Sequence, residues 1–486
     1  MDTRRSVLPP VLGVMIGAAL VGFALPSLID ADPPGTVATG RAATSMPLDA
    51  PAGSPGGVDD PATPGATPSA RGAPDDSPVN DGAGSSTGPT ASNGATGRGV
   101  TATDVKVGVL LLDLGSVGAL GLGVPGLTPR EQQEDWQVFV DRVNDEGGAG
   151  GREVVPVYRR FDSLSPDDMR AACLYLAEDA AVFAAFTLAG FQGDAPLCLT
   201  REHGMPYITT WGEPESFYAY GLEFTWAMSR ERMLRNQVGS LHRQGALDGV
   251  TIGIVDSDHP AIEPVVDNAM LPELARYGYR VAHRSTLSQN FEAAAAQIPL
   301  EVSQMRAKGV DYVLVALQLV LINQWVNEGD AQGFRPAYAL SDFQSGVTDF
   351  TLQALPRSFD GTGITSTRIG EWRRDFPLPA VDRSCLDYYA AKTGRRPAPD
   401  NNRFATLQAA CGILQQFRAG VKAAGPGLTE QGFSRAMQGR GTMELPLYAG
   451  GSWRPGKFDA SDYVRTARAD MACRCWLPVD DFVPAG

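Results

Sequence analysis

His259 is one of four histidines in 486 residues, and it closes the run Asp256-Ser257-Asp258-His259. A hydroxyl, an imidazole and carboxylates this close are the groups a hydrolase uses, the histidine taking a proton from the nucleophile while an acid orients the ring. The same residue types after a strand also serve as plain caps and turn formers. Between residues 103 and 486 no Gly-x-Ser-x-Gly elbow accompanies them, and the chain has no Gly-x-x-x-x-Gly-Lys-Ser/Thr phosphate loop and no His-Glu-x-x-His zinc helix. The segment Gly121 to Gly126 fits Gly-x-Gly-x-x-Gly. It begins well past the expected end of the preceding strand, and Pro125 removes an N–H that phosphates would need, so a nucleotide cofactor is not expected.

Six cysteines, at 173, 198, 385, 411, 473 and 475, all lie beyond the N-terminal apolar stretch. An even count in an exported segment reads as disulfides. Cys173 and Cys198 fall in successive helices after the second and third strands, where neighbouring helices on one sheet face can be bridged. Cys385 with Cys411 would join two further helices, leaving Cys473 with Cys475 as a local pair. No other Cys or His stands at a spacing that would complete four ligands around Cys-x-Cys, so no metal is expected.

The elements that must position these groups begin near Thr103. Val7 to Ile29 is an uncharged stretch of 23 residues behind Arg4 and Arg5. As a helix it would reach about 35 Å, enough to cross a bilayer. Residues 1–30 therefore read as a membrane anchor or signal segment, with the positive charge on the cytoplasmic side and the rest of the chain outside the cytoplasm. Residues 31–100 are Pro, Gly, Ala, Ser, Thr and Asp with no aromatic residue before Thr101. Such a composition predicts a disordered linker. A formal net charge of −14 opposes binding to nucleic acid.

Beyond Thr103, short apolar runs alternate with longer amphipathic ones. Strands are expected at Val105 to Leu112, Glu153 to Tyr158, Ala181 to Thr187, Pro206 to Thr210, Thr251 to Val255, Arg280 to His283, Tyr312 to Ala316, Ala337 to Leu340 and Gly361 to Thr367. Thr128-Pro129-Arg130-Glu131 and Ser165-Pro166-Asp167-Asp168 carry helix-start chemistry. This order predicts an α/β fold of two Rossmann-like lobes with parallel sheets, and a late helix from Asn401 to Ala423 closing one of them. In such sheets a ligand sits beyond the carboxyl ends of the strands. Ser116, Asp256, Asp258, His259 and Gln318 follow strands there, although each also fits a turn or helix start.

The opening strand "VKVGVLLL", the turn in "FVDRVNDEGGAGGREVVPV", and "DDMRAACLYLAEDAAVFAAF", "LTREHGMPYITT" and "QMRAKGVDYVLVAL" before "QGFRPAYALSDF" resemble the type I periplasmic solute-binding proteins of ABC importers, in the group of Leu/Ile/Val-binding proteins. The resemblance covers about residues 103 to 445. It implies two hinged lobes joined by three crossovers that close on a small solute, with an ABC permease as membrane partner. The expected lobes are 101–228 plus 365–450, and 229–364 plus 451–486. The protein would act outside the cytoplasm as a monomer, without catalysis or cofactor.

The resemblance also places the ligand site. Thr187, Gly190, Phe191 and Gln192 after the third strand, and Thr209, Thr210 and Trp211 after the fourth, match positions that hold a carboxylate in amino acid-binding relatives. Asp342 matches the acid that takes an ammonium group, though an Asp after a strand also caps helices. The chain departs from the family pattern with "TLAGFQ" after the third strand and with Gln318-Leu319-Val320 where an aromatic residue is usual. These departures point away from an ordinary α-amino acid and toward a larger or more apolar carboxylate or amide. Two other functions fit the same sequence: a hydrolase using His259 with Asp256 or Ser257, and a sensor acting through a separate signalling partner.

Overall fold

The computed structural model describes residues 93–116, 128–371, 377–399 and 402–486. The expected anchor at 1–30, most of the expected linker and the glycine pattern at Gly121 to Gly126 lie outside the described residues. The last part of the linker is ordered, which corrects its boundary. Val100 is 4% exposed and belongs to the core. Gly97 bridges to Val100 and Val100 to Val105, and the Asn93 amide donates to the Gly150 carbonyl at 3.1 Å. A low-complexity composition hides one β-branched residue that the first strand buries.

The first sheet is parallel throughout. Its strands are β1 (Asp104–Asp113), β2 (Glu153–Asp162), β3 (Ala184–Thr187), β4 (Tyr207–Thr209) and β5 (Glu223–Thr225), in the order β2-β1-β3-β4-β5. Helix α1 (Pro129–Asp145) starts on the expected capping box, with Thr128 accepting from the Glu131 N–H and Glu131 reaching back. Its buried face, with Trp136, Phe139, Val140 and Val143, packs into the sheet's core. Helix α2 (Pro166–Leu174) is capped by Ser165.

The turn after α1 shows why its sequence is specific. Asn144 donates to the Val154 carbonyl at 3.0 Å and accepts from the Val154 N–H at 2.8 Å, fastening α1 to β2. Gly148 has φ +72, and a Cβ there would stand 2.0 Å from the Arg152 carbonyl oxygen. Only glycine fits.

The chain enters the second sheet through α3 (Arg230–Arg243). Strands β6 (Ile252–Ser257), β7 (Val281–Leu287), β8 (Tyr312–Val315), β9 (Ala337–Ser341) and β10 (Gly361–Thr365) are parallel, in the order β7-β6-β8-β9-β10. Helices α4 (Phe291–Ala307) and α5 (Leu319–Ala331) supply Ile298, Val302, Leu321 and Trp325 to its core. The chain then returns to the first lobe as α6 (Ala380–Thr393), α7 (Asn402–Ala424) and α8 (Glu430–Gln438). The expected apolar stripe of α7, Phe404, Leu407, Ala410, Cys411, Leu414 and Phe417, lies in the first core. A hairpin of β11 (Gly441–Met443) and β12 (Gly451–Trp453) follows.

Two expectations are corrected at the C-terminal end. Residues 451–460, expected in the second lobe, pack on the first: Trp453, Phe458 and Ala460 belong to its core. The second sheet is also not wholly parallel. β13 (Tyr463–Asp470) runs antiparallel to β10, and β14 (Cys475–Pro478) and β15 (Val483–Pro484) run antiparallel to β13. A strand that returns from the first lobe needs no βαβ crossover, so it is free to pair antiparallel at the sheet's end.

The three passages between the sheets are fastened side by side. Thr225 bridges to Asp459, and the Trp226 carbonyl accepts from both the N–H and the hydroxyl of Ser461, at 2.9 and 2.8 Å. The Asp459 carboxylate accepts from the Ser229 N–H at 2.8 Å, and Thr367 bridges to Tyr448. Cys173 with Cys198, Cys385 with Cys411, and Cys473 with Cys475 form the expected disulfides, with Cα separations of 6.3, 6.0 and 5.3 Å. His203 stands near the first pair, but those sulfurs are bonded to each other and offer no thiolate. Among the described residues, no helix is long and apolar enough to cross a membrane.

Candidate functional site

Two cavities lie between the lobes at the carboxyl ends of the strands. The first, of about 280 Å³, is bounded by Thr210, Trp211 and Tyr448 on the first-lobe side and by Asp342, Val347 and Phe350 on the second, with Arg368, Leu378, Asp382 and Phe404 from the returning chain. The other, of about 350 Å³, takes Leu112, Leu164, Leu188 and Gly190 from the first lobe and Phe291, Gln318, Leu319 and Val320 from the second. Trp211, Thr210, Phe350, Ala405 and Leu447 border both, so the two form one chamber with a waist.

β4 delivers Trp211 to that waist. The Trp211 N–H donates to the Thr209 hydroxyl at 3.1 Å, which fixes the turn out of the strand. Its indole N–H is buried with no hydrogen-bond partner among the described residues. The Thr210 hydroxyl donates to the Leu188 carbonyl, and the Thr210 carbonyl accepts from the Tyr448 hydroxyl at 3.1 Å. Thr210 therefore offers the chamber its methyl face more than its hydroxyl.

The opposite wall is the loop after β9. Gln344 and Ser345 have φ of +51 and +61, two consecutive non-glycine residues in the left-handed region. Such backbone is held only where its surroundings over-determine it, and it clusters at binding sites. Asp342, at the start of this loop, accepts from the N–H and hydroxyl of Ser366 at 2.6 and 2.7 Å, so it ties β9 to the passage after β10 rather than capping a helix. Burial pushes its carboxyl above the ordinary 3.8, against the pull of the Ser366 N–H.

Asp382 and Arg368 were not among the residues expected from the sequence. Asp382 accepts from the Leu447 N–H at 2.9 Å and faces the Arg368 guanidinium at 3.4 Å. Burial pushes its carboxyl up to about 6, the Leu447 N–H and then Arg368 opposing. Phe350, Phe404, Ala405, Leu447 and Tyr448 were missed as well. They come from segments far apart in the chain, brought together only by the return of the chain to the first lobe.

Of the residues expected to bind ligand, the structure brings Gly190, Gln192, Thr210, Trp211, Gln318 and Asp342 to the chamber. The others are placed elsewhere. Phe191 is buried in the first lobe against Phe161 and Tyr207, at 5.3 and 6.1 Å between ring centres. The Thr187 hydroxyl donates to the Leu110 carbonyl at 3.3 Å, and the buried Thr209 hydroxyl accepts from the Trp211 N–H. Ser116 donates to Asp162 at 2.7 Å. Asp256 is buried between Arg284 and Thr286, and Asp258 accepts from the Gln289 N–H at 2.6 Å. None of these six lines either cavity.

His259 lies at a mouth between the lobes, of about 700 Å³, beside Asp194 and Asn290. This mouth adjoins the second cavity through Ser163, Leu164, Gln192, Phe291 and Gln318, which border both. Its Nδ1 accepts from the Ala261 N–H at 3.0 Å, and burial, then the Arg230 charge, holds the ring below its ordinary 6.5. Ser257 accepts from the backbone N–H of His259 at 3.3 Å, and the Asp256 carboxylate is engaged by Arg284. The three side chains are not wired as nucleophile, base and orienting acid.

Residues 132–471 match the model of the family described as "Periplasmic binding protein". No curated protein sequence matches significantly. Among solved structures, a fatty acid ABC transporter substrate-binding protein from Thermomonospora curvata is similar at TM-score 0.61 and 16% identity, covering 80% of this chain and 95% of that one. The branched-chain amino acid substrate-binding protein from Streptococcus pneumoniae, in complex with isoleucine, is similar at TM-score 0.55 and 14% identity, covering 78% and 100%. A solute-binding protein from R. palustris, in complex with 4-hydroxybenzoate, is similar at 0.57 and 14%, covering 79% and 97%. These likenesses share the fold.

Proposed function

Because this chain belongs to the periplasmic binding protein family, we propose that it is the extracytoplasmic solute-binding component of an ABC-type importer and takes an apolar carboxylate or amide rather than an ordinary α-amino acid. The observation that carries the reading is the chamber itself. It is shared by both lobes at the strand ends, where doubly wound folds bind ligands, and Trp211 and Phe350 flank its waist from opposite lobes. A solute there touches both lobes at once, so binding favours the closed arrangement by its difference in affinity for the two states. Closure is then the signal a permease reads.

Several features favour an apolar solute. The hydroxyls expected to hold an amino acid carboxylate are turned away from the chamber: Thr187 donates to Leu110, Thr210 donates to Leu188, and Thr209 is fully buried and lines neither cavity. The walls that replace them are largely aliphatic and aromatic. Two fold neighbours carry solutes of this kind in their names, one a fatty acid transporter's binding protein and the other a complex with 4-hydroxybenzoate, so the fold accommodates apolar carboxylates. Anchoring through residues 1–30 and action as a monomer complete the proposal.

A thermal-shift and native mass-spectrometry screen of amino acids, alkanoates, aromatic acids and amides tests it. One compound is expected to add one mass equivalent and raise Tm without being consumed. Turnover that depends on His259 would contradict the reading.

A further inference from the structure

The charged residues of the chamber are segregated. Asp342, Asp349, Arg368, Glu371 and Asp382 all line the first cavity. No charged residue is among the described residues that line the second. The second cavity instead carries Leu112, Leu164, Leu188, Phe291, Leu319 and Val320. The two meet at the waist of Trp211, Phe350 and Ala405.

We infer that the solute is a single-chain amphiphile, with its polar head among the charged groups of the first cavity and its hydrocarbon chain passing the waist into the second. This inference rests on the solute-binding reading and names the substrate class for it. A compact solute would fill one cavity and leave the other to water. The second cavity's wall is mostly aliphatic and aromatic, its polar members being uncharged ones such as Ser163, Gln192 and Gln318. Water is therefore held there less well than among the charges of the first, whereas a chain gains about 0.8 kcal/mol for each methylene it buries. That gain corresponds to about a fourfold rise in affinity per methylene.

Two substitutions separate the cavities without entering a packed core. Ala405 is exposed on α7 and borders both cavities, so Ala405→Phe would block the waist. Leu319 is half-buried at the first turn of α5, a position where an acid is tolerated by the helix. Leu319→Asp therefore puts a charge into the second cavity alone.

The test is calorimetric titration of the full chain with unbranched alkanoates, alkanamides and alkylamines of four to fourteen carbons, below their micelle concentrations, with isoleucine and 4-hydroxybenzoate as compact comparisons. In at least one series, affinity is expected to climb about fourfold per methylene and then level off. Leu319→Asp should cost the longer members at least tenfold and leave the four-carbon member unchanged. Ala405→Phe should move the plateau to shorter chains, with Tm of the unliganded variants within a few degrees of the parent. Tight binding of a compact solute with no length dependence would overturn the amphiphile and leave the importer reading standing. Length dependence indifferent to both substitutions would overturn the placement. Failure of every probe to bind would overturn both.

Discussion

Arg230 donates to the Glu213 carboxylate at 2.7 Å with the two side chains 2% and 0% exposed. The same guanidinium donates to the Gly212 carbonyl at 3.1 Å and the Ala261 carbonyl at 3.0 Å. With its amide oxygen turned inward, Gln344 accepts from both terminal nitrogens at 3.2 Å. One cation therefore joins the segment leaving β4, a loop after β6 and the left-handed loop that lines the chamber. Trp211 and Ser345, which border the chamber, are positioned from a common point behind them.

Removing one partner of a buried ion pair leaves the other charge without compensation. Arg230→Met should lower unfolding free energy by about 3 to 5 kcal/mol, and the double variant with Glu213→Gln should recover part of the loss. Urea unfolding of the single and double variants measures both. Equal losses in the two would show that packing, not charge, sets the cost.

Asp382 makes a pH-dependent contribution of defined sign. Its carboxyl is raised from 3.8 to about 6, so the folded chain holds this proton more tightly than the unfolded chain. The associated stability is complete below about 3.8 and is lost as pH rises through about 6. Asp382→Asn, which cannot titrate, should flatten the stability profile between those values. The comparison is Tm against pH for the two proteins.

Loop length divides the three disulfides into two nearly equal ones, with separations of 25 and 26 residues, and one much weaker, with a separation of 2. Replacing both Cys173 and Cys198, or both Cys385 and Cys411, by Ala should cost about 3.5 kcal/mol by the chain-entropy account. Cys473 and Cys475 are 2 apart, and their loss should be small by comparison. Denaturant midpoints of the paired variants give the ranking.

Trp211→Phe removes a buried indole N–H that has no partner among the described residues. A solute acceptor that meets this group gains a bond worth roughly 1 kcal/mol, so affinity should fall about five- to tenfold. Tm of the unliganded variant should not fall through loss of a hydrogen bond, because none is made. Unchanged affinity would place the solute away from this indole.

The strands and helices of both lobes were legible because each carries its own local chemistry: Thr128 and Glu131 at the start of α1, the Asn144 turn, and the apolar stripe of α7. Two of the cysteine pairs were legible from their placement on helices, and Cys473 with Cys475 as the pair that remained. The site was legible only in part. Strand ends point to Trp211 and Asp342, but Phe191 and Thr187 show that a residue one or two positions away turns into the core instead. Asp382, Arg368, Ala405 and Leu447 reach the chamber only because the chain crosses between lobes three times, which no local pattern records. The antiparallel β13 was missed for the same reason, since its pairing depends on a return from the first lobe.

The most direct measurement is a crystal structure of the full chain with the tightest compound from the screen. The account predicts density for one molecule between Trp211 and Phe350, with its polar end toward Asp382 and Arg368. An empty chamber, with the compound held instead at the mouth beside His259, would contradict it.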